Sequence, residues 1–142
     1  MFLPGQFITA TRLNRLQPST YWAQASASVN SGSGVDVPGT SMSIVVATAG
    51  AAAAFSWSGA VYATAAMTAG NIGLRPFWDV NGAPTYVVAQ WMTASEKGSV
   101  ANFWVTNVTT PGTYVFKLNG SVVANSSFAI YTSLMVQITE IA

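Results

Sequence analysis

The chain has 142 residues, of which five are basic and four acidic, and it contains no histidine and no cysteine. Charged residues make up 6%, against about a quarter in ordinary soluble domains. This excludes disulfide staples, thiolate chemistry and zinc clusters, and removes the usual general base. A net charge of +1 supplies no footprint for nucleic acid and no polybasic membrane patch.

The length implies one domain with a short appended arm, residues 1–19 and 20–142. The opening does not read as a signal peptide, because its arginines follow the apolar residues instead of preceding them. Thr9 can cap a short helix. Leu13 and Leu16 then share one face, with Arg12 and Arg15 nearby, and Pro18 ends it. Two helical turns do not hold themselves in water, so this arm must dock on something.

From Thr20 onward the pattern is strands and turns. Tyr21 to Val29 alternates. Asn30-Ser31-Gly32-Ser33-Gly34 reads as a flexible loop and Asp36-Val37-Pro38-Gly39 as a turn. Met42 to Thr48 is an apolar, β-branched strand. Ala49 to Ala54 reads as a loop or strand edge. Phe55 to Met67 reads as a long strand, bulged at Gly59. Ile72 to Val80 and Thr85 to Met92 flank Asn81-Gly82, a type I′ hairpin signal. Ser95-Glu96-Lys97-Gly98 is a charged loop. Val100 to Val108 is a strand closed by Thr110-Pro111-Gly112. Thr113 to Leu118 meets a second type I′ signal, Asn119-Gly120, and Ser121 to Ala124 returns. Phe128 to Tyr131 and Ser133 to Ile141 finish the chain. Eight to ten short strands at this spacing make an antiparallel all-β sandwich or barrel.

Residues 37–74 carry no charge, but small and polar residues interrupt them throughout. Phe55-Ser56-Trp57-Ser58 alternates as a strand does and a lipid-facing helix does not. No membrane partner is expected.

The acids Asp36, Asp79, Glu96 and Glu140 lie in four separate segments, which suits surface solvation better than a carboxylate pair. Asp79-Val80-Asn81-Gly82 resembles a fragment of a calcium loop, but the remaining ligands are missing. A serine triad has no histidine to use. No catalytic, metal or cofactor residue is assigned, and no enzyme activity or cofactor is expected.

The aromatics remain. Trp22, Trp57, Trp78, Trp91 and Trp104 are the candidates for a subunit interface or for stacking a ligand. Successive strand residues face opposite ways. One member of each pair Tyr21/Trp22, Phe77/Trp78 and Phe103/Trp104 therefore enters the core while the other faces outward. Outward aromatics on a charge-poor surface mark contacts.

The run Phe2-Leu3-Pro4-Gly5-Gln6-Phe7-Ile8-Thr9-Ala10-Thr11-Arg12-Leu13-Asn14-Arg15-Leu16-Gln17-Pro18 resembles the opening of virion proteins of tailed phages, those of actinobacteria above all. Thr20-Tyr21, Val37-Pro38-Gly39-Thr40 and the closing Ser133-Leu134-Met135-Val136-Gln137-Ile138-Thr139-Glu140-Ile141 continue the likeness. Such proteins are minor tail, spike or head-surface components. The resemblance implies a jelly-roll β-sandwich of the tumour-necrosis-factor-like kind, typically trimeric, behind a short N-terminal arm. It also implies an anchor, here Pro4, Gly5, Ile8, Thr9, Arg12, Leu13, Asn14, Arg15 and Leu16. The chain lacks the collagen-like or coiled-coil shaft of longer relatives, which favours a small knob or coat decoration over a fibre.

The expected role is therefore structural. The protein would be an oligomeric knob on a phage particle, made in the bacterial cytoplasm, with itself and other virion proteins as partners. The alternative is a receptor- or carbohydrate-binding module that stacks host-surface glycan on exposed aromatics.

Overall fold

The computed structural model describes residues 17–30, 32–65, 72–78, 81–82, 87–89 and 97–141. The expected helix and all nine anchoring residues, Pro4 to Leu16, lie outside them, as do Asp79, Trp91 and Glu96. No helix among the described residues is long and apolar enough to cross a membrane.

The described residues form eleven strands: β1 (Ser19–Gln24), β2 (Gly32–Asp36), β3 (Met42–Val46), β4 (Ala51–Ala63), β5 (Ile72–Trp78), β6 (Asn81–Gly82), β7 (Val87–Ala89), β8 (Lys97–Val108), β9 (Gly112–Val122), β10 (Ser126–Phe128) and β11 (Ser133–Thr139). All pairings are antiparallel. In the first sheet β1 pairs with β11, β11 and β10 share one edge of β4, and β8 takes the other edge. In the second, β3 and β2 share one edge of β9, β5 lies on its other side, and β6 and β7 pair with the far edge of β5. Each shared edge counts as one strand position, so the sheets have four positions each and the chain passes back and forth between them. That is the jelly-roll order, and it bears out the expected all-β sandwich.

Alternation decides what enters the core. Along β4 the odd-numbered residues from Ala51 to Ala63 are buried, and the even-numbered ones face outward. Leu134, Val136 and Ile138 do the same on β11. An aromatic cluster joins the two sheets. Phe55 stacks on Trp104 at 5.1 Å between centroids and meets Phe116 at 5.6 Å. Trp78 stacks on Phe116 at 5.5 Å and touches Tyr114 at 5.6 Å.

Four local expectations are corrected. Ala51 to Ala54 is neither loop nor edge: β8 pairs with all four residues, and β11 pairs with Ala52 to Ala54 from the other side. Gly59 carries no bulge, since its register with Val100 is unbroken. A β-carbon there would lie 2.4 Å from Leu74 Cδ1 and 3.1 Å from Phe128 Cδ1, so glycine makes room for the core. Neither Asn-Gly pair is the turn. Asn81 and Gly82 pair with Trp78 and Phe77. Asn119 and Gly120 lie inside β9, paired with Arg75 and Leu74 on one side and with Asp36 and Val35 on the other. The expected loop over residues 30–34 is in part β2, whose ladder to β9 shifts register between Gly32 and Val35.

The turn expected at Asp36-Val37-Pro38-Gly39 forms one residue later, over Val37-Pro38-Gly39-Thr40, because Asp36 belongs to β2. Thr40 N donates to Val37 O at 3.2 Å, and Gly39 has φ +84°, the position that favours glycine after proline in a type II turn. The buried Thr40 hydroxyl donates to Val37 O at 2.8 Å and accepts Leu118 N at 3.1 Å. A β-carbon on Gly39 would lie 2.6 Å from Ser26 N and 2.8 Å from Gln24 O. Those are backbone atoms that cannot rotate away. Gly39→Ala is expected to cost about 3 kcal/mol, read as a drop of roughly 10 °C in melting temperature.

Candidate functional site

Charge is distributed unequally over the two outer faces. The outer face of the second sheet carries Asp36, Arg75 and Lys117. Lys117 Nζ lies 2.6 Å from Asp36 Oδ2, a partly exposed pair contributing about 1 kcal/mol or less. Arg75 and Lys117 flank the Phe77 ring, 5.8 and 5.6 Å from its centroid. Glu140, just past β11, accepts hydrogen bonds from Ala47 N and Thr48 N, each at 2.8 Å, and from the Thr48 hydroxyl. It thus ties the loop between β3 and β4 to the end of β11. Both described acids are therefore engaged in structural contacts. Among the described residues no three His, Cys, Asp or Glu side chains could hold a metal ion.

The outer face of the first sheet is different. Its outward positions on β1, β4, β8 and β11 are uncharged except for Lys97 at one corner. The middle strand β4 contributes Ala52, Ala54, Ser56, Ser58 and Ala60, side chains too short to rise from the sheet. The register places Trp22, Met135, Ser56 and Phe103 in one row across four strands. Trp22 and Phe103 end that row, 62% and 59% exposed. Three inter-strand spacings separate them, about 14 Å. Between them lies a trough of about 560 Å³. Ser58 and Ser133 line it with their hydroxyls 3.2 Å apart.

Alternation separates each aromatic pair as expected. Tyr21, Trp78 and Trp104 pack against or into the core, while Trp22, Phe77 and Phe103 lie on the outward positions. Of the candidate tryptophans, Trp22 is on the surface and Trp104 is half-buried against Phe55. Trp57 and Trp78 are core residues, 4% and 3% exposed, with Trp57 also among the residues lining the trough. Phe103 is the exposed aromatic beside Trp104. Tyr131 is 71% exposed, in the turn before β11. The pair Phe103/Trp104 already offers Phe103 as a candidate outward aromatic, but nothing local in the sequence marks Tyr131.

A second groove, of about 480 Å³, lies farther along β4, where Tyr62, Tyr131 and Lys97 surround a floor that includes Ala60 and Ala129.

No family model matches the chain, and no curated protein matches it. Solved structures match over most of its length, two of them as follows. Dimeric latent PorU from Porphyromonas gingivalis does so at TM-score 0.45 and 10% identity, over 87% of this chain and 13% of that one. The structure of infectious bursal disease virus, Gx strain, does so at TM-score 0.39 and 15% identity, over 89% of this chain and 38% of that one. The chain thus spans well under half the length of either.

Proposed function

We propose that this protein is a structural component of a phage particle, a surface knob whose sandwich associates with copies of itself. The neutral outer face of the first sheet is the observation that carries self-association. A surface meant for water keeps charges, as the opposite sheet does with Asp36, Arg75 and Lys117. The trough fits protein better than sugar. Its walls stand about 14 Å apart, too far to hold one sugar ring between them, whereas a sheet with its side chains is about 10 Å thick. A second copy is also a fitting partner, because a chain with 6% charged residues brings few ions to desolvate. The phage resemblance of the opening segment supports the virion setting and a trimer as the copy number. In this reading residues 1–19 are the attachment arm and no catalysis is involved.

Sedimentation of the purified protein at micromolar concentration tests self-association. A trimer mass is the expected result, and a monomer overturns it. Attachment is tested separately. Leu13→Asp places a charge on the apolar face of the arm and is expected to leave particles without the protein while its body still melts cooperatively. Retained attachment would refute the anchor.

A further inference from the structure

We infer that the groove framed by Tyr62, Tyr131 and Lys97 binds an anionic saccharide. Three features converge there. First, Lys97, Tyr62 and Ser127 form one row across β8, β4 and β10, so an ammonium, a phenol ring and a hydroxyl sit side by side on the outer face. Second, Tyr131 projects from the turn between β10 and β11, adding a second ring to the same groove. That turn is held by Ala129 N donating to Ala60 O at 2.9 Å and by Thr132 N donating to Ala129 O at 3.1 Å. Third, among the described residues Lys97 is the one charge on this face, and it has no carboxylate partner there.

The chemistry follows from these groups. Aromatic rings offer apolar faces to the C–H side of a sugar ring, with hydroxyls at hand for its OH groups. A cation placed beside them selects a ring that bears a negative group, through a charge-assisted hydrogen bond. A carboxylate on a uronic acid and a phosphate on a sugar share that chemistry. The trough between Trp22 and Phe103 has no cation, and its two rings stand about 14 Å apart. The inference does not depend on self-association, because it is read by ligand titration and not by mass.

Titration followed by NMR at low salt, with trigalacturonic acid, a hexose phosphate and neutral maltotriose as probes, tests it. At least one anionic probe is expected to saturate, with maltotriose at least about tenfold weaker. Which anionic probe binds tells carboxylate from phosphate. Lys97→Met is expected to weaken the anionic probe about tenfold and leave maltotriose unchanged. Tyr131→Ala is expected to weaken all binding by about the same factor. Both side chains are exposed, so unchanged melting temperatures will confirm that the variants fold. Failure of both anionic probes to saturate, equal binding of neutral and anionic sugars, or variants that bind as the wild type does would each overturn the inference.

Discussion

Trp22→Glu is expected to convert the assembled protein to monomers without unfolding it. Trp22 ends the row Trp22–Met135–Ser56–Phe103 and stands clear of the sheet. In a free subunit it is mostly in water, so replacing it changes monomer stability by about 0.5 kcal/mol or less. In an assembly that covers the trough, the same site would hold an unpaired carboxylate against apolar neighbours, which is strongly unfavourable. Losing a buried tryptophan anchor alone typically costs at least about 2 kcal/mol, or some thirtyfold in affinity. Phe103→Glu, at the other wall, is expected to act alike. Val45→Glu is the matched control. Val45 is equally exposed, at 65%, but lies on the outer face of the charged sheet. Sedimentation of the three variants decides the matter: dissociation by the first two and not the third assigns the interface to the first sheet. Assembly that survives Trp22→Glu and Phe103→Glu, or that Val45→Glu also breaks, places the interface elsewhere.

Phe55→Ala is expected to have the largest effect on stability. Phe55 is fully buried, in β4 of the first sheet, and touches Trp104 of the same sheet and Trp78 and Phe116 of the other. Its removal loses the transfer free energy of the ring and leaves a cavity where the sheets are joined, about 3–5 kcal/mol. A domain of this size is stable by about 5–15 kcal/mol in total. The melting temperature should fall by roughly 10–15 °C. Phe55→Leu, which keeps most of the volume, should cost about 1.5 kcal/mol. A Phe55→Ala protein that melts within a few degrees of the wild type would show that the cluster does not hold the sheets together.

Much of the architecture is legible in the residues themselves, because alternation is a local property. Phe55-Ser56-Trp57-Ser58 determines a strand with one apolar face whatever it pairs with, and Pro38-Gly39 determines a turn because one residue presets φ and the next tolerates its reversal. The division of Tyr21/Trp22, Phe77/Trp78 and Phe103/Trp104 into inward and outward members follows from the same period of two. Sparse charge, likewise, narrows the chemistry from the sequence alone.

What the tertiary structure alone decided is pairing. Asn119-Gly120 has the composition of a hairpin turn, yet β2 and β5 flank it, and its backbone hydrogen bonds go to them instead. Ala51 to Ala54 has too little side chain to declare itself a strand. Partners on both sides make it one, and Ala52 and Ala54 then join the outer face of the first sheet. The role of Gly59 is set by Leu74 and Phe128, which are distant in sequence. The candidate sites depend on pairing in the same way. Trp22 and Phe103 are 81 positions apart along the chain, and Lys97, Tyr62 and Tyr131 come from three separate segments. Local patterning specifies which way each side chain points. Only the register between strands specifies which side chains stand next to one another, and both candidate sites are made of neighbours.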